Sequence, residues 1–159
     1  MVLLVHHGDA LPSEIDAQRP LSERGRRAAE ALAAKVGRRG FVAAAVWHSG
    51  KLRARQTAEA VWRASNPFAE FAAIGGLQPD DPASVVVARL AGETRDVAFV
   101  GHFPHLPRLL VQLLGAPQEG TSAVFPPHGA VALAADGESR WREVWRIEEP
   151  LTPEAPGLV

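Results

Sequence analysis

The sequence contains no cysteine, and this absence narrows the chemistry open to the protein. It excludes disulfides, thiolate metal sites and every mechanism that uses a cysteine nucleophile. A strong charge of either sign is also missing, because the formal net charge is −1. Such a chain has no general electrostatic attraction to nucleic acid or to a membrane surface. Any site for an anionic ligand must therefore be built locally from particular basic residues.

Long apolar segments are missing as well. No run approaches the ~20 residues that span a bilayer, and the first residues lack the basic region of a secretory signal. We therefore expect a cytoplasmic protein with neither membrane nor nucleic-acid partners. Its 159 residues, 47% hydrophobic and 22% charged, suffice for one ordinary core. They predict a single domain over residues 1–149, followed by a proline-rich tail over residues 150–159.

Three short apolar segments end in glycine, serine or histidine. They cover residues 2–5, 42–47 and 97–100, and the residues that follow them read HHG, HSG and GH. Short apolar runs without polar alternation are typical of strands that are buried on both faces of a parallel sheet. In open α/β sheets, ligands bind outside the carboxyl ends of the strands. The histidines after these segments are therefore predicted to lie at the binding edge of the sheet.

Helical patterns separate the strands. Ser22 is predicted to cap a first helix that ends at Gly37 or Gly40, and a second helix covers residues 52–65. A third follows residues 80–82, with an aspartate as its cap and Pro82 as its first residue, and a fourth covers residues 109–114. A weaker strand covers residues 68–74, and a hairpin at Asp136-Gly137 joins strands over residues 130–134 and 140–147. The order predicts an α/β fold with a single three-layer α/β/α domain and a mainly parallel sheet with an antiparallel edge.

Four segments resemble the motifs of the histidine phosphatase superfamily, which has the phosphoglycerate mutase-like fold. The resemblance is greatest to its small SixA-type phosphohistidine phosphatase branch, and it covers nearly the whole chain. The segments are residues 4–10 (LVHHGDA), where the family has Arg-His-Gly, residues 19–25 (RPLSERG), residues 49–58 (SGKLRARQTA), similar to Ser-Pro-x-x-Arg-Ala-x-Gln-Thr, and residues 100–104 (VGHFP), similar to Gly-His-x-Pro.

The resemblance implies a phosphatase that works through a phosphohistidine intermediate. Its substrate would be a protein phosphohistidine or another small phosphomonoester or phosphoramidate, so a phosphohistidine-bearing protein is the expected partner. It implies no metal and no other cofactor. Imidazole is a competent nucleophile near neutral pH, and arginine suits the phosphoryl oxygens. The implied roles are His7 as the nucleophile, Arg53 and His102 as catalytic phosphate ligands, His6 and Gly8 as further phosphate ligands, and Arg19 as a substrate contact.

His6 departs from the family pattern, because it stands where the motif has arginine. Loss of a phosphate-clamping arginine can lower a rate ~10³-fold or more. One alternative is therefore a degenerate, catalytically weak or inactive member that binds phosphorylated ligands. Another is a site in which a bound dianion keeps His6 protonated, with activity shifted towards acid pH. If His6 is a defective clamp, His6→Arg is expected to raise turnover at neutral pH.

The proton donor also departs from the mutase-like branches, which have a glutamate where this chain has Gly75-Gly76. The nearby Asp80 and Asp81 are equally well explained as a helix cap. An imidazole leaving group on a labile P–N bond needs less acid assistance than an alkoxide, which favours phosphohistidine as the substrate.

Several residues have a plainer interpretation. Arg19 is as well explained by tying its loop to the domain, and His48, His105 and His128 are expected to be surface or supporting histidines. A metal site built from His6, His7, His48, His102 and His105 is disfavoured. Adjacent histidines at a strand end tend to point in opposite directions, and no carboxylate or cysteine stands at ligand spacing.

Overall fold

Six strands and four helices follow one another in the computed structural model, which describes residues 1–115, 124–137 and 140–148. The order of strands and helices is the predicted one. No helix in these ranges is long and apolar enough to cross a membrane. The elements are β1 (Val2–His6), α1 (Glu23–Arg38), β2 (Ala45–His48), α2 (Leu52–Ser65), β3 (Glu70–Ala73), α3 (Ala83–Leu90), β4 (Val97–Gly101), α4 (His105–Leu114), β5 (Ala130–Ala135) and β6 (Trp141–Ile147).

The six strands form one sheet in the order β3-β2-β4-β1-β5-β6. Strands β1 to β4 pair in parallel, whereas β5 runs antiparallel to both β1 and β6. The predicted mainly parallel sheet with an antiparallel edge is therefore confirmed. Because β5 is antiparallel, its first residues lie at the same edge of the sheet as the last residues of β1.

The helices cover both faces of the sheet, as predicted for a three-layer domain. Alternate side chains of a strand point to opposite faces. Leu3 and Val5 of β1 accordingly pack in one apolar cluster with α1 and α2. Val2 and Leu4 pack in a second cluster with α3 and α4. All four side chains are buried, so β1 lies in the middle of the protein and holds its carboxyl end in a fixed position.

Helix starts agree with the predictions for α1 and α2 and differ for the other two. Ser22 caps α1 by accepting the Gly25 N–H at 2.9 Å. Pro82, not an aspartate, occupies the cap position of α3, because the Asp81 carboxylate accepts the Gln78 N–H at 2.8 Å instead. Helix α4 begins at His105, earlier than predicted, with Pro107 in its first turn. Proline is tolerated there because the first N–H groups of a helix have no intrahelical partner.

The predicted tail over residues 150–159 lies outside the described residues, and so do residues 116–123. The single-domain boundaries thus stay a prediction. The hairpin turn is partly described, with Asp136 donating its N–H to the Arg140 carbonyl at 2.9 Å.

Candidate active site

The carboxyl ends of β1, β2 and β4 meet at one edge of the sheet. In the parallel register, His6 lies beside Gly101, and His48 lies beside Val100. The ladder continues for one bond beyond β1, since the His7 N–H donates to the Gly101 carbonyl at 3.2 Å. The residues that follow these strand ends, among them His7 and His102, are brought together as predicted, with their ring centroids 4.9 Å apart.

His7 is held with one ring nitrogen unprotonated. Its Nδ1 lies 2.7 Å from the Gly8 carbonyl, which only accepts, so Nδ1 carries the proton and Nε2 keeps its lone pair. Arg53, in the first turn of α2, donates its Nε–H to that lone pair at 3.3 Å. Burial, with a contribution from the Arg53 charge, lowers the pKa of His7 to about 4. The imidazole is therefore neutral at pH 7, as a nucleophile must be.

Gly8 anchors the turn after β1. Its N–H donates to Thr57 Oγ1 at 3.0 Å, and Thr57 in turn donates to the Arg53 carbonyl at 2.9 Å. Gly8, which the resemblance implied to be a phosphate ligand, thus directs both backbone groups elsewhere: the N–H to Thr57 and the carbonyl to His7. This arrangement joins His7 and Arg53 through one chain of hydrogen bonds, which fixes the distance between them.

His102 is almost fully buried, with 1% of its surface exposed. Its Nε2 lies 2.6 Å from the hydroxyl of Ser49, which also accepts the Lys51 N–H at 3.3 Å. Since the serine oxygen already has a donor, its own hydrogen is free for Nε2, which favours the Nδ1–H form of His102. Nδ1 has no hydrogen-bond partner among the described residues. A buried N–H without a partner is available to an acceptor that enters the site.

His6 is a neutral side chain in this structure. Its Nδ1 accepts the backbone N–H of His128 at 2.8 Å, so the neutral ring carries its proton on Nε2. Burial and the neighbouring histidines lower the pKa of His6 to about 2. The ring lies between Phe103 and His128, stacked at centroid distances of 4.0 and 4.9 Å. His6 therefore offers an uncharged N–H where the family motif has a cation, and the structure gives no support to a protonated His6.

His128 belongs to the site, although the sequence interpretation made it a surface or supporting residue. It precedes β5, and the antiparallel pairing of β5 with β1 brings it to the carboxyl end of β1. Its Nδ1 donates to the His7 carbonyl at 2.6 Å, and its ring centroid lies 6.1 Å from that of His7. One signal was present in the sequence: His128 stands just before the strand predicted to run antiparallel.

Two arginines bring permanent positive charge to the site, and the charge of Lys51 also reaches His102. Arg19 donates its Nε–H to the Leu11 carbonyl at 3.1 Å, so it does tie its loop together. Its charge also reaches the site, where it lowers the pKa of His7 and of Arg53. In the described part of the chain, no carboxylate forms an ion pair with Arg19 or Arg53. The site therefore has an unbalanced positive charge that favours an anion.

Three histidines stand close enough to be considered as metal ligands. One ring nitrogen of each of His6, His7 and His128 lies within 4.8 Å of the others. The prediction that adjacent histidines point apart is wrong here, since the His6 and His7 ring centroids are 4.6 Å apart. A cation among them would lie next to the Arg53 guanidinium and would compete with it for His7 Nε2. The donor set thus fits an oxyanion better than a metal ion.

Two histidines, His48 and His105, lie outside the group formed by His6, His7, His102 and His128. His48 accepts the Gly50 N–H on Nδ1 at 3.0 Å and packs against Phe71. His105 is fully buried in the first turn of α4. The five-histidine metal site that the sequence disfavoured is not assembled among the described residues.

Motif residues outside the cluster hold the loop after β1 in place. Gln56 Oε1 accepts the Leu21 N–H at 2.7 Å, and Asp9 accepts the Ser22 hydroxyl at 2.6 Å. A Cβ on Gly25 would lie only 2.0 Å from the Asp9 carbonyl oxygen, so only glycine permits this approach of α1. These contacts explain the presence of Ser22 and Gly25 in the segment over residues 19–25, and of Gln56 in α2.

Comparison with known proteins gives the same family as the motifs. The pattern of the histidine phosphatase superfamily, branch 1, matches residues 2–75. None of the curated protein sequences matches the chain significantly.

Among solved structures, the protein histidine phosphatase SixA in complex with tungstate is 24% identical, with a TM-score of 0.78 over 92% of this chain and 96% of that one. A protein described as a SixA phosphohistidine phosphatase from Agrobacterium tumefaciens is 25% identical, with a TM-score of 0.76 over 93% and 97%. A phosphoserine phosphatase from Entamoeba histolytica is 13% identical, with a TM-score of 0.68 over 94% and 98%.

The fold is therefore shared along almost the full length of these proteins, and the family pattern lies on the half of the chain that carries His7 and Arg53. In its N-terminal sequence pattern and its overall fold, the chain is therefore similar to the histidine phosphatase superfamily.

Proposed function

We propose that the protein is a phosphatase that forms a phosphohistidine on His7 and acts on protein phosphohistidine or on another small phosphomonoester or phosphoramidate. One observation supports this proposal above the others: the unprotonated Nε2 of neutral His7 accepts the Arg53 Nε–H at 3.3 Å. A phosphoryl group that enters between them receives a nucleophile on one side and a cation on its oxygens.

The first step forms a bond between His7 Nε2 and phosphorus and breaks the bond between phosphorus and the leaving group. Arg53 exchanges its contact with Nε2 for contacts with the phosphoryl oxygens, where the charge develops. His102, through Nδ1–H, and His6, through Nε2–H, are uncharged donors for the same oxygens. Catalysis of phosphoryl transfer consists mostly of such positioning and electrostatic stabilisation. Water then attacks phosphorus, which releases phosphate and His7.

The substrate class rests on the leaving group. No glutamate stands at Gly75-Gly76, and the Asp81 carboxylate is engaged with Gln78. A phosphoramidate needs less proton donation than an alkyl phosphate, so phosphohistidine suits this site. The similarity to proteins described as SixA phosphohistidine phosphatases supports the same class.

The proposal is tested by trapping the intermediate. The protein is mixed with a ³²P-labelled phosphohistidine protein and quenched in alkaline detergent, because the P–N bond is labile in acid. We expect label on the wild type and on His48→Asn, a histidine variant outside the cluster, and none on His7→Asn. Label on His7→Asn would overturn the assignment of the nucleophile. Phosphate binding without label or turnover in the wild type would favour a degenerate phospho-ligand binder instead.

A further inference from the structure

We propose that His128 is the general acid and base of the reaction, which protonates the leaving group and then activates the water that releases phosphate from His7. This inference rests on the proposed phosphatase function and adds the proton donor that the family motifs do not provide here.

The backbone and the side chain of His128 are both held in place by specific contacts. Its backbone lies in the left-handed region, with φ 53°, a conformation that non-glycine residues adopt rarely and mostly under constraint from their surroundings. Two hydrogen bonds supply that constraint, from its N–H to His6 Nδ1 and from its Nδ1 to the His7 carbonyl. The ring also stacks within 12° of parallel on His6. Backbone and ring are thus both fixed next to the nucleophile.

The hydrogen bonds of His128 leave one nitrogen for proton transfer. Because the His7 carbonyl only accepts, Nδ1 keeps its hydrogen, and Nε2 is the atom that gains and loses a proton. The residue is half-buried, so water reaches it. One ring nitrogen of His128 lies within 4.8 Å of a ring nitrogen of His7, so a group bound to His7 would stand next to the His128 ring.

The other candidate acids in the described part of the chain are committed elsewhere. Burial holds the pKa of His6 at about 2 and that of His102 at about 3, so both are neutral donors without a proton to spare. Asp9 is held by the Ser22 hydroxyl and the Arg24 guanidinium, the latter at 3.1 Å. The Asp9 carboxylate also interacts electrostatically with His128, whose charge helps to lower the pKa of Asp9.

His128 loses one proton in the first step and regains one in the second. In the first step, His7 Nε2 bonds to phosphorus, the leaving group departs with the electron pair of its bond, and it takes the proton from His128 Nε2. In the second step, neutral His128 accepts a proton from water while the water oxygen bonds to phosphorus and the P–N bond breaks. Phosphate leaves, His7 regains its lone pair, and His128 is protonated again.

The test compares two aryl phosphates whose leaving groups differ in their need for a proton. Phenolate, like the tyrosine side chain, holds a proton up to about pH 10, whereas dinitrophenolate leaves without one. General acid catalysis is worth about 10²–10⁴-fold. For His128→Asn we therefore expect a loss of about 10²–10⁴-fold in kcat/KM with phenyl phosphate and of less than about 10-fold with 2,4-dinitrophenyl phosphate.

Asparagine is the matched substitution, because it tolerates the left-handed conformation, keeps the backbone N–H and can still donate to the His7 carbonyl. His128→Gln is the second variant, and His48→Asn is the control, for which we expect wild-type rates with both substrates. Equal losses with both substrates would overturn the inference and leave His128 as a positioning residue. A wild type that forms no phosphoenzyme would overturn the proposed function itself, which is a different result.

Discussion

Replacing Arg53 by methionine is expected to make the protein more stable and nearly inactive. The guanidinium is partly buried and has no carboxylate partner among the described residues. Burial, followed by the charge of Arg19, lowers the pKa of Arg53, which means that the folded state disfavours this cation. Methionine keeps the aliphatic stem and removes the charge. Single stabilising substitutions commonly raise the free energy of unfolding by about 0.5–2 kcal/mol, which here raises the Tm by a few °C.

The same substitution removes the cation that we propose to face the phosphoryl group. Arginines that stabilise a transferring phosphoryl group contribute about 10³–10⁵-fold to the rate, or about 4–7 kcal/mol of transition-state stabilisation. We expect a loss towards the upper end of this range, because the neighbouring His6 is neutral and cannot replace the lost charge. Stability and activity should therefore change in opposite directions.

The assay combines thermal unfolding in phosphate-free buffer with turnover of 2,4-dinitrophenyl phosphate. Arg55→Met is the matched control, since Arg55 lies two residues further along α2, is exposed and pairs with Glu59 at 3.0 Å. It should keep its activity and lose at most about 0.5 kcal/mol of unfolding free energy. Tungstate, as an oxyanion probe, should raise the Tm of the wild type and of Arg55→Met and not that of Arg53→Met. An Arg53→Met protein with a lower Tm, or with activity within tenfold of the wild type, would refute this reasoning.

Three further predictions concern the contact of Gly25 with the loop after β1, the replacement of His6, and the dependence of stability on pH. Gly25→Ala should lower the free energy of unfolding by about 1–3 kcal/mol in urea titrations. In the control Gly92→Ala, the added Cβ meets no atom within 4 Å, so the change should be less than about 0.5 kcal/mol. Equal effects of the two substitutions would contradict the close approach of α1 to Asp9. His6→Arg should tighten phosphate binding in calorimetry and raise turnover at neutral pH. It should also destabilise the fold by about 1–3 kcal/mol, because the His128 N–H loses His6 Nδ1 as its acceptor. An unchanged or lower rate with phosphate binding intact would count against His6 as a defective clamp. The pKa of His7 is about 4 in the folded state and about 6.5 in the unfolded state, so the unfolded chain binds the proton first as the pH falls. The free energy of unfolding should therefore decrease between about pH 6.5 and about pH 4, by up to about 1.4 kcal/mol per pH unit for this residue. A flat pH profile would show that His7 is not held neutral.

The sequence by itself determined the fold and the parallel part of the site. Apolar runs without alternation specify buried parallel strands, and parallel strands bring their carboxyl ends to one edge. The positions of His7 and His102 at that edge were predictable for this reason. The spacing of Arg53 and Thr57 on α2 was equally local, since residues four apart share a helix face. Helix starts that depend on proline and on short turns, as at Pro82 and His105, were predicted less accurately.

Only the tertiary structure decided the charge and the hydrogen bonds of His6 and His7, and that His128 lies beside them. The charge of His6 depends on burial and on the His128 N–H, which lies 122 residues away along the chain. His128 reaches the site because β5 pairs antiparallel with β1, and this pairing is a long-range contact that no local pattern specifies. Local periodicity sets where a strand ends, whereas the electrostatics of a site depend on every group that the fold packs around it.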